Sequence, residues 1–169
     1  MTTAPNHVAQ ATSVSVPAVD DVRSLLPSRA ELLGRLAERL PAADAQPVTL
    51  FLIGLVRRDD ADPASESTVA QVTSLIARSV RHDDWLGSSG PAEIAVLLRG
   101  GETAAKTAAE RLVRAIAALD VPGLSAVAGI AELSSDLTAA EVFYRATLSL
   151  TSARRVGAGT VIRYREPLA

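Results

Sequence analysis

Residues 85–98 read WLGSSGPAEIAVLL, two short segments with apolar residues separated by turn-forming residues. The segments cover residues 85–88 and 93–98, and the residues between them include Gly90 and Pro91. Strand-length segments on either side of a turn that contains Gly and Pro are typical of a β-hairpin. We therefore predict a hairpin here, with the rest of the domain arranged around it.

The region before the hairpin predicts one strand between two helices. Residues 48–56, VTLFLIGLV, form a continuous apolar run of strand length, which is typical of a central strand buried on both faces. Apolar residues at helical spacing predict helices over about 28–40 and 67–81. Ser28 and Glu31 have the spacing of a capping box, which marks the start of the first helix.

The region after the hairpin alternates in the same way. The pattern predicts a helix over 103–119, a strand over 125–133, a helix over 138–156 and a last strand over 160–164. The predicted order is then α-β-α-β-β-α-β-α-β. Strands that alternate with helices around one hairpin favour the α/β class, here an α+β sandwich of ferredoxin-like character with a mixed central sheet flanked by helices.

Composition excludes several classes of function. The chain has 169 residues, no cysteine, two histidines, 3% aromatic residues and a formal net charge of -2. The small negative net charge argues against a nucleic-acid partner. The lack of cysteine and the low number of histidines argue against a metal site built from Cys or His, and we also expect no cofactor. Asp59, Asp60 and Asp62 lie close together, but their spacing matches no EF-hand loop, which favours a solvated loop.

The N-terminal segment predicts where the folded domain begins. Residues 1–20 are small, polar or β-branched and include two prolines, which indicates a disordered leader before a domain over 21–166. Residues 1–20 also lack the basic and apolar regions of a signal peptide. No stretch approaches the roughly 18 continuous apolar residues that a membrane span needs, so we expect a cytoplasmic protein without a membrane span.

Four segments of the chain resemble, in unbroken order, the segments of GGDEF domains, the diguanylate cyclase family. They are residues 21–36 (DVRSLLPSRAELLGRL), 79–100 (SVRHDDWLGSSGPAEIAVLLRG), 124–133 (LSAVAGIAEL) and 146–164 (ATLSLTSARRVGAGTVIRY). The resemblance implies the nucleotidyl-cyclase palm fold. It also implies a chemistry in which two GTP molecules are condensed into cyclic di-GMP, with carboxylates holding Mg²⁺ against the triphosphate.

The carboxylates that the family uses for Mg²⁺ are replaced in this chain. Gly54 and Val56 stand where the family pattern F-x-D-x-D places its first-strand carboxylates. The hairpin signature Gly-Gly-Asp-Glu-Phe reads GPAEI here, with Pro91 in place of a glycine and Ala92 in place of a metal-binding carboxylate. Arg154 stands where the family has a phosphate-binding lysine. Because the chain resembles this family but lacks its metal-binding carboxylates, we expect a catalytically inactive domain, a pseudoenzyme.

A second ligand site of the family keeps its motif. Many GGDEF domains bind their product cyclic di-GMP at an Arg-x-x-Asp element before the hairpin signature, and Arg81 and Asp84 have that spacing. Arg111 in the third predicted helix matches a second arginine of that site. An arginine can bind a guanine edge or a phosphate, and a carboxylate can accept from the guanine N1–H and N2–H. The competing interpretation is structural: Arg81 compensates a helix dipole and Asp84 forms a turn.

Three functional hypotheses follow from the sequence. The first is a cyclic di-GMP receptor that binds at Arg81, Asp84 and Arg111 and regulates a protein partner. The second is a protein-interaction module that keeps the GGDEF-like fold and works without nucleotide. The third is residual cyclase activity in a heterodimer with an intact partner, which the two lost carboxylates argue against. We expect switching to depend on a separate protein or on dimerisation, and a homodimer stays open.

Overall fold

A five-stranded sheet with helices on both faces forms the domain. The protein is described by a computed structural model over residues 26–58 and 64–167. In chain order the elements are α1 (Arg29–Arg39), a 3-10 turn (Leu40–Ala42), β1 (Val48–Arg57), α2 (Glu66–Ser79), β2 (Trp85–Gly90), β3 (Glu93–Arg99), α3 (Glu102–Ala117), β4 (Leu124–Glu132), α4 (Ala139–Val156) and β5 (Val161–Arg163).

The sheet has the strand order β2-β3-β1-β4-β5 and is mixed. Strand β1 runs antiparallel to both of its neighbours, β3 and β4, whereas β5 runs parallel to β4. The predicted hairpin is confirmed, since β2 and β3 pair antiparallel with one irregularity between Ser88 and Gly90. The predicted class and the palm-like arrangement of a mixed sheet flanked by helices are therefore confirmed.

Two cores lie on opposite faces of the sheet, because side chains alternate along each strand. On β1, Leu50 and Leu52 face a core that includes residues of α1 and α4. Phe51 and Ile53 face the other core, which includes residues of α2 and α3. All four side chains have no exposed surface. The apolar run of β1 is thus explained by burial on both sides, as the sequence predicts.

Local end signals explain most helix boundaries. The capping box at α1 is present, with the Ser28 main-chain N–H donating to Glu31 Oε2 at 2.6 Å and the Glu31 N–H donating to Ser28 Oγ at 3.3 Å. Helix α2 ends at Ser79, two residues before the predicted end, because Val80 takes an extended conformation (φ -83°, ψ 158°).

The predicted leader, residues 1–20, and the acidic loop with Asp59, Asp60 and Asp62 lie outside the described residues.

Candidate functional site

A cavity of about 260 Å³ lies at the end of the sheet where β3 ends and β2 begins. Its charged lining consists of Arg81, Asp84, Arg99 and Arg111, and its apolar lining includes the buried residues Phe51, Leu98 and Leu112. The three residues predicted for the ligand site, Arg81, Asp84 and Arg111, are therefore brought together around one space. We call this space the arginine cavity.

Asp84 holds the main chain at the entrance of the arginine cavity. Its Oδ2 accepts from the main-chain N–H of Arg81 at 2.9 Å, and its Oδ1 accepts from that of Arg99 at 3.1 Å. The Asp84 N–H donates in turn to the Arg81 carbonyl oxygen at 3.1 Å, which closes a turn. The structural interpretation of Asp84 is thus confirmed. Each carboxylate oxygen can accept a further hydrogen bond, so a ligand contact is compatible with this role.

The two predicted arginines reach the cavity from different elements. Arg111 lies on α3, and its Nη2 donates to the carbonyl oxygen of Ser79, the last residue of α2, at 3.1 Å. Arg81 follows α2 after one extended residue, and its side chain is exposed. The early end of α2 therefore places Arg81 in a turn beside Arg111. A pair of arginines that face one cavity is suited to phosphate, which accepts from guanidinium groups in a bidentate manner.

The sequence did not indicate Arg99 as a residue of the cavity. It ends β3, and its link to Asp84 joins residues that are 15 positions apart. No local motif carries such a contact, because it depends on how the hairpin turns back onto the chain before it. The predicted hairpin gives an indirect indication of this contact. If its two strands pair antiparallel, the end of β3, with Arg99, must lie next to the start of β2, close to Asp84.

A second charged contact lies at the other end of the hairpin. Arg154 of α4 binds Glu93 of β3, with 2.7 Å between Nη2 and Oε1. Glu93 is paired across the sheet with Gly54 of β1, and Ser89 Oγ donates to Glu93 Oε2 at 3.3 Å. A Cβ added to Gly54 would lie 2.8 Å from Arg154 Nη2, so the guanidinium occupies the space directly beside the bare glycine.

These residues do not form a donor set for a divalent cation. Mg²⁺ is held by oxygen ligands, usually carboxylates, and the only carboxylate among Gly54, Val56, Ala92 and Glu93 is already paired with an arginine. Ala92, where the resemblance implies a metal ligand, adopts a left-handed conformation (φ 53°) with a methyl side chain. Within residues 26–58 and 64–167 no group of three or more His, Cys, Asp or Glu side chains is arranged to hold a metal ion.

Two further residues lie near the start of β2. Trp85 is half-buried and packs against the core beneath α1 and α4. His82 is exposed in the turn before β2. Among the helices that the structure describes, each is too short or too polar to cross a bilayer.

Comparisons with known proteins identify the fold. No protein-family model and no curated protein matches the sequence. Among solved structures, the GGDEF domain of DgcB from Caulobacter crescentus in complex with c-di-GMP has a TM-score of 0.74 at 16% identity, covering 95% of this chain and 100% of that one. The active GGEEF domain of a diguanylate cyclase from Vibrio cholerae has a TM-score of 0.71 at 19% identity, covering 84% and 99%.

A third similar structure contains a protein partner. Diguanylate cyclase SiaD from Pseudomonas aeruginosa, in complex with its activator SiaC, has a TM-score of 0.71 at 21% identity, covering 82% of this chain and 58% of that one. All three structures are similar to this chain over most of its length. The chain therefore has the GGDEF-domain fold, the fold of diguanylate cyclases, as the segments of its sequence predict.

Proposed function

We propose that this chain is a catalytically inactive GGDEF-fold signalling protein that binds cyclic di-GMP in the arginine cavity and regulates a protein partner in the cytoplasm. The observation that carries the proposal is the arrangement of Arg81, Asp84 and Arg111 around one cavity, although they come from a turn and a separate helix. The c-di-GMP complex of the similar DgcB domain and the activator complex of SiaD support a ligand and a protein partner for this fold.

The ligand part of the proposal is tested by calorimetric titration of the full chain with cyclic di-GMP. We expect the wild-type protein to bind, and the Arg81→Ala and Arg111→Ala variants to lose about tenfold or more in affinity, because each removes a charge-assisted contact to phosphate or guanine. Asp84 is a poor choice for this test, because its carboxylate also orders the main chain.

The matched control for the titration is Arg114→Ala. Arg114 lies on α3, one turn beyond Arg111, and its Nε donates to the main-chain carbonyl of Glu110. This variant removes the same charge from the same helix without touching the cavity lining, so its affinity should equal that of the wild type. Absence of heat with cyclic di-GMP, or equal losses for Arg114→Ala and Arg81→Ala, would contradict the receptor proposal.

Inactivity as a cyclase is proposed from the hairpin end of the domain. Gly54, Val56 and Ala92 provide no oxygen side chains for Mg²⁺, and the Arg154–Glu93 pair fills the space beside Gly54. We expect no cyclic di-GMP from GTP and Mg²⁺, measured by chromatography, for this protein alone, and no increase over the partner's own rate when it is mixed with an intact GGDEF domain. Product formed by the protein alone, or a rate above that of the intact partner, would contradict this proposal.

A nucleotide-independent interaction module is the second candidate function. The observation that favours it is the outer face of α4, where Tyr144 and Leu148 lie one helical turn apart with 59% and 39% exposure. We would measure the mass of the protein in solution, together with that of a Tyr144→Ser, Leu148→Ser variant. If no guanine nucleotide binds and the protein forms an oligomer that the variant dissociates, this candidate replaces the first. An unchanged assembly would count against it.

A further inference from the structure

The large apolar side chains that are exposed to solvent are confined to one helix. Within residues 26–58 and 64–167 they are Tyr144, Leu148 and Val156, and all three lie on α4. Two of them belong to a row of exposed residues that follows the helical spacing along the outer face of α4. We call this row the α4 row, and it consists of Glu141, Tyr144, Leu148, Ser152 and Arg155. An apolar centre between charged ends is typical of a surface that binds another protein.

The α4 row is complementary to itself when two copies of the helix run antiparallel. Leu148 is its midpoint, because positions 144 and 152, and likewise positions 141 and 155, are symmetric about position 148. A two-fold axis at Leu148 places this side chain against its own copy and Tyr144 against the small Ser152 of the second copy. The same axis places Glu141 opposite Arg155 at both ends of the contact.

The charges of the α4 row favour the antiparallel over the parallel arrangement. In a parallel pair Glu141 would face a second carboxylate and Arg155 a second guanidinium, which repel each other. Arg155 is exposed, and no ion pair within residues 26–58 and 64–167 includes it. Glu141 is 49% exposed, and its contact with Arg145 uses Oε1, so its Oε2 can accept from a second arginine.

We propose that the outer face of α4 is a homodimer interface, in which two copies of this chain pair their α4 helices antiparallel about Leu148. The interface names a partner for the surface of the second candidate function. It does not involve the arginine cavity, so it forms with or without cyclic di-GMP. One helix pair buries a small area, and small interfaces belong to weak complexes. We therefore expect dimers at about 100 µM and monomers at about 1 µM, where unfolding experiments report on the monomer.

The first test measures the mass of the full chain by analytical ultracentrifugation across this concentration range. Glu141→Arg and Arg155→Glu each place like charges at both ends of the interface, so each should weaken dimerisation about tenfold or more. An equimolar mixture of the two variants should regain the dimer, because every charged pair in the mixed dimer again has opposite signs. A general loss of folding in either variant would not be repaired by mixing.

The matched control for the charge reversals is Glu110→Arg. Glu110 lies on α3 and, like Glu141, pairs with a basic residue four positions away, here Lys106 at 3.1 Å. The control variant therefore changes the net charge and breaks an equivalent pair without touching the α4 row. It should dimerise like the wild type.

The second test examines the register with single cysteines, which is possible because the chain has none of its own. Leu148→Cys should give a disulfide-linked dimer under mild oxidation, because position 148 faces its own copy. Ser152→Cys should not, because the two copies of position 152 are eight residues apart along an antiparallel pair, about 12 Å. In a parallel pair both variants would crosslink.

Each outcome decides the proposal. A wild-type protein that is monomeric at about 100 µM, or charge reversals that dimerise like the wild type, would overturn it. Equal crosslinking by Ser152→Cys and Leu148→Cys would overturn the antiparallel register. Dimers of a chain that binds no cyclic di-GMP would remove the receptor proposal and support this one, whereas nucleotide binding by a monomer would do the reverse.

Discussion

At Gly129 the main chains of strand β4 and helix α4 come into direct contact. A Cβ at this position would lie 2.1 Å from the main-chain nitrogen of Leu150 and 2.5 Å from the carbonyl oxygen of Ala146. These atoms belong to the helix backbone, so they cannot move aside as a flexible side chain would. The absence of a side chain at one residue therefore sets the distance between a central strand and the helix that covers it.

Replacement of Gly129 by alanine should destabilise the fold strongly. We expect Gly129→Ala to lower the free energy of unfolding by about 3 kcal/mol or more, because the new methyl group forces α4 away from the sheet. Urea unfolding followed by circular dichroism measures the change. Gly34→Ala is the control: it lies within α1 with nothing within 4 Å of the added Cβ, and it should raise stability by about 0.5–1 kcal/mol. Equal stability of Gly129→Ala and wild type would contradict this account.

The Arg154–Glu93 pair is a second case in which single residues define local structure. Glu93 is 21% exposed at its side chain and Arg154 is 39% exposed, so the pair is only partly screened by water. We expect Arg154→Ala to lower the free energy of unfolding by about 1 kcal/mol, since it leaves Glu93 with the Ser89 hydroxyl alone. Urea unfolding again provides the measurement.

The control for this pair is the neighbouring Arg155→Ala, which removes the same charge from the same helix. A double-mutant cycle with Glu93→Gln should show that the cost of Arg154→Ala is mostly lost once Glu93 is neutral. If both arginine variants cost the same amount, the pair has no specific stabilising role.

At the scale of elements, short polar contacts join helices and loops that are distant in the sequence. The Asp44 carboxylate, just after the 3-10 turn, accepts from both the hydroxyl and the main-chain N–H of Ser135, in the loop between β4 and α4. The hydrogen bond from the Ser135 hydroxyl is the largest cause of a lowered pKa at Asp44, and the hydrogen bond from the Ser135 main-chain N–H lowers the pKa further. This contact connects the end of α1 to the beginning of α4.

The lowered pKa of Asp44 predicts a pH-dependent contribution to stability. A carboxyl with a depressed folded-state pKa stabilises the fold above its unfolded pKa of about 3.9, and this stabilisation is lost as the pH falls through the folded value. Wild type should therefore be more stable than Asp44→Asn at about pH 6, and the difference should shrink towards about pH 3. Urea unfolding at both pH values measures it, and Ser135→Ala should show the same convergence. A difference that grows on acidification would refute the assignment.

At the scale of the whole molecule, the two cores share one sheet. Strand β1 contributes side chains to both of them, and so do β3 and β4. Neither core can lose its packing without exposing the strands that support the other. We therefore expect a single cooperative unfolding transition for the domain.

A substitution in one core should shift the unfolding transition of both cores by the same amount. Trp85 is the only tryptophan of the sequence and packs against the core beneath α1 and α4, whereas Leu112 is buried in the core beneath α2 and α3. Leu112→Ala should cost about 2–5 kcal/mol and shift the tryptophan fluorescence transition by the same amount as the circular dichroism transition. Transitions that separate would show that the two faces unfold independently.

Much of the architecture was predictable because its signals are local. The apolar run of β1, the Ser28–Glu31 capping box and the hairpin turn each act within a few residues, and the structure contains all three, with the turn at Pro91 and Ala92. The end of α2 was predicted two residues late, because Arg81 continues the helical pattern while Val80 has already become extended. A boundary of this kind is decided by the turn that Asp84 holds, which lies beyond the helix.

Local patterns were enough to predict the fold class, the hairpin, the central strand buried on both faces and the spacing of Arg81 and Asp84. The folded domain alone brings Arg154 to Glu93, 61 positions away, and the Arg99 main chain to Asp84 at the arginine cavity. Helical and strand periodicities depend on interactions between near neighbours in the chain. Contacts between charged side chains from different elements depend on strand register and helix packing, which exist once both cores have formed.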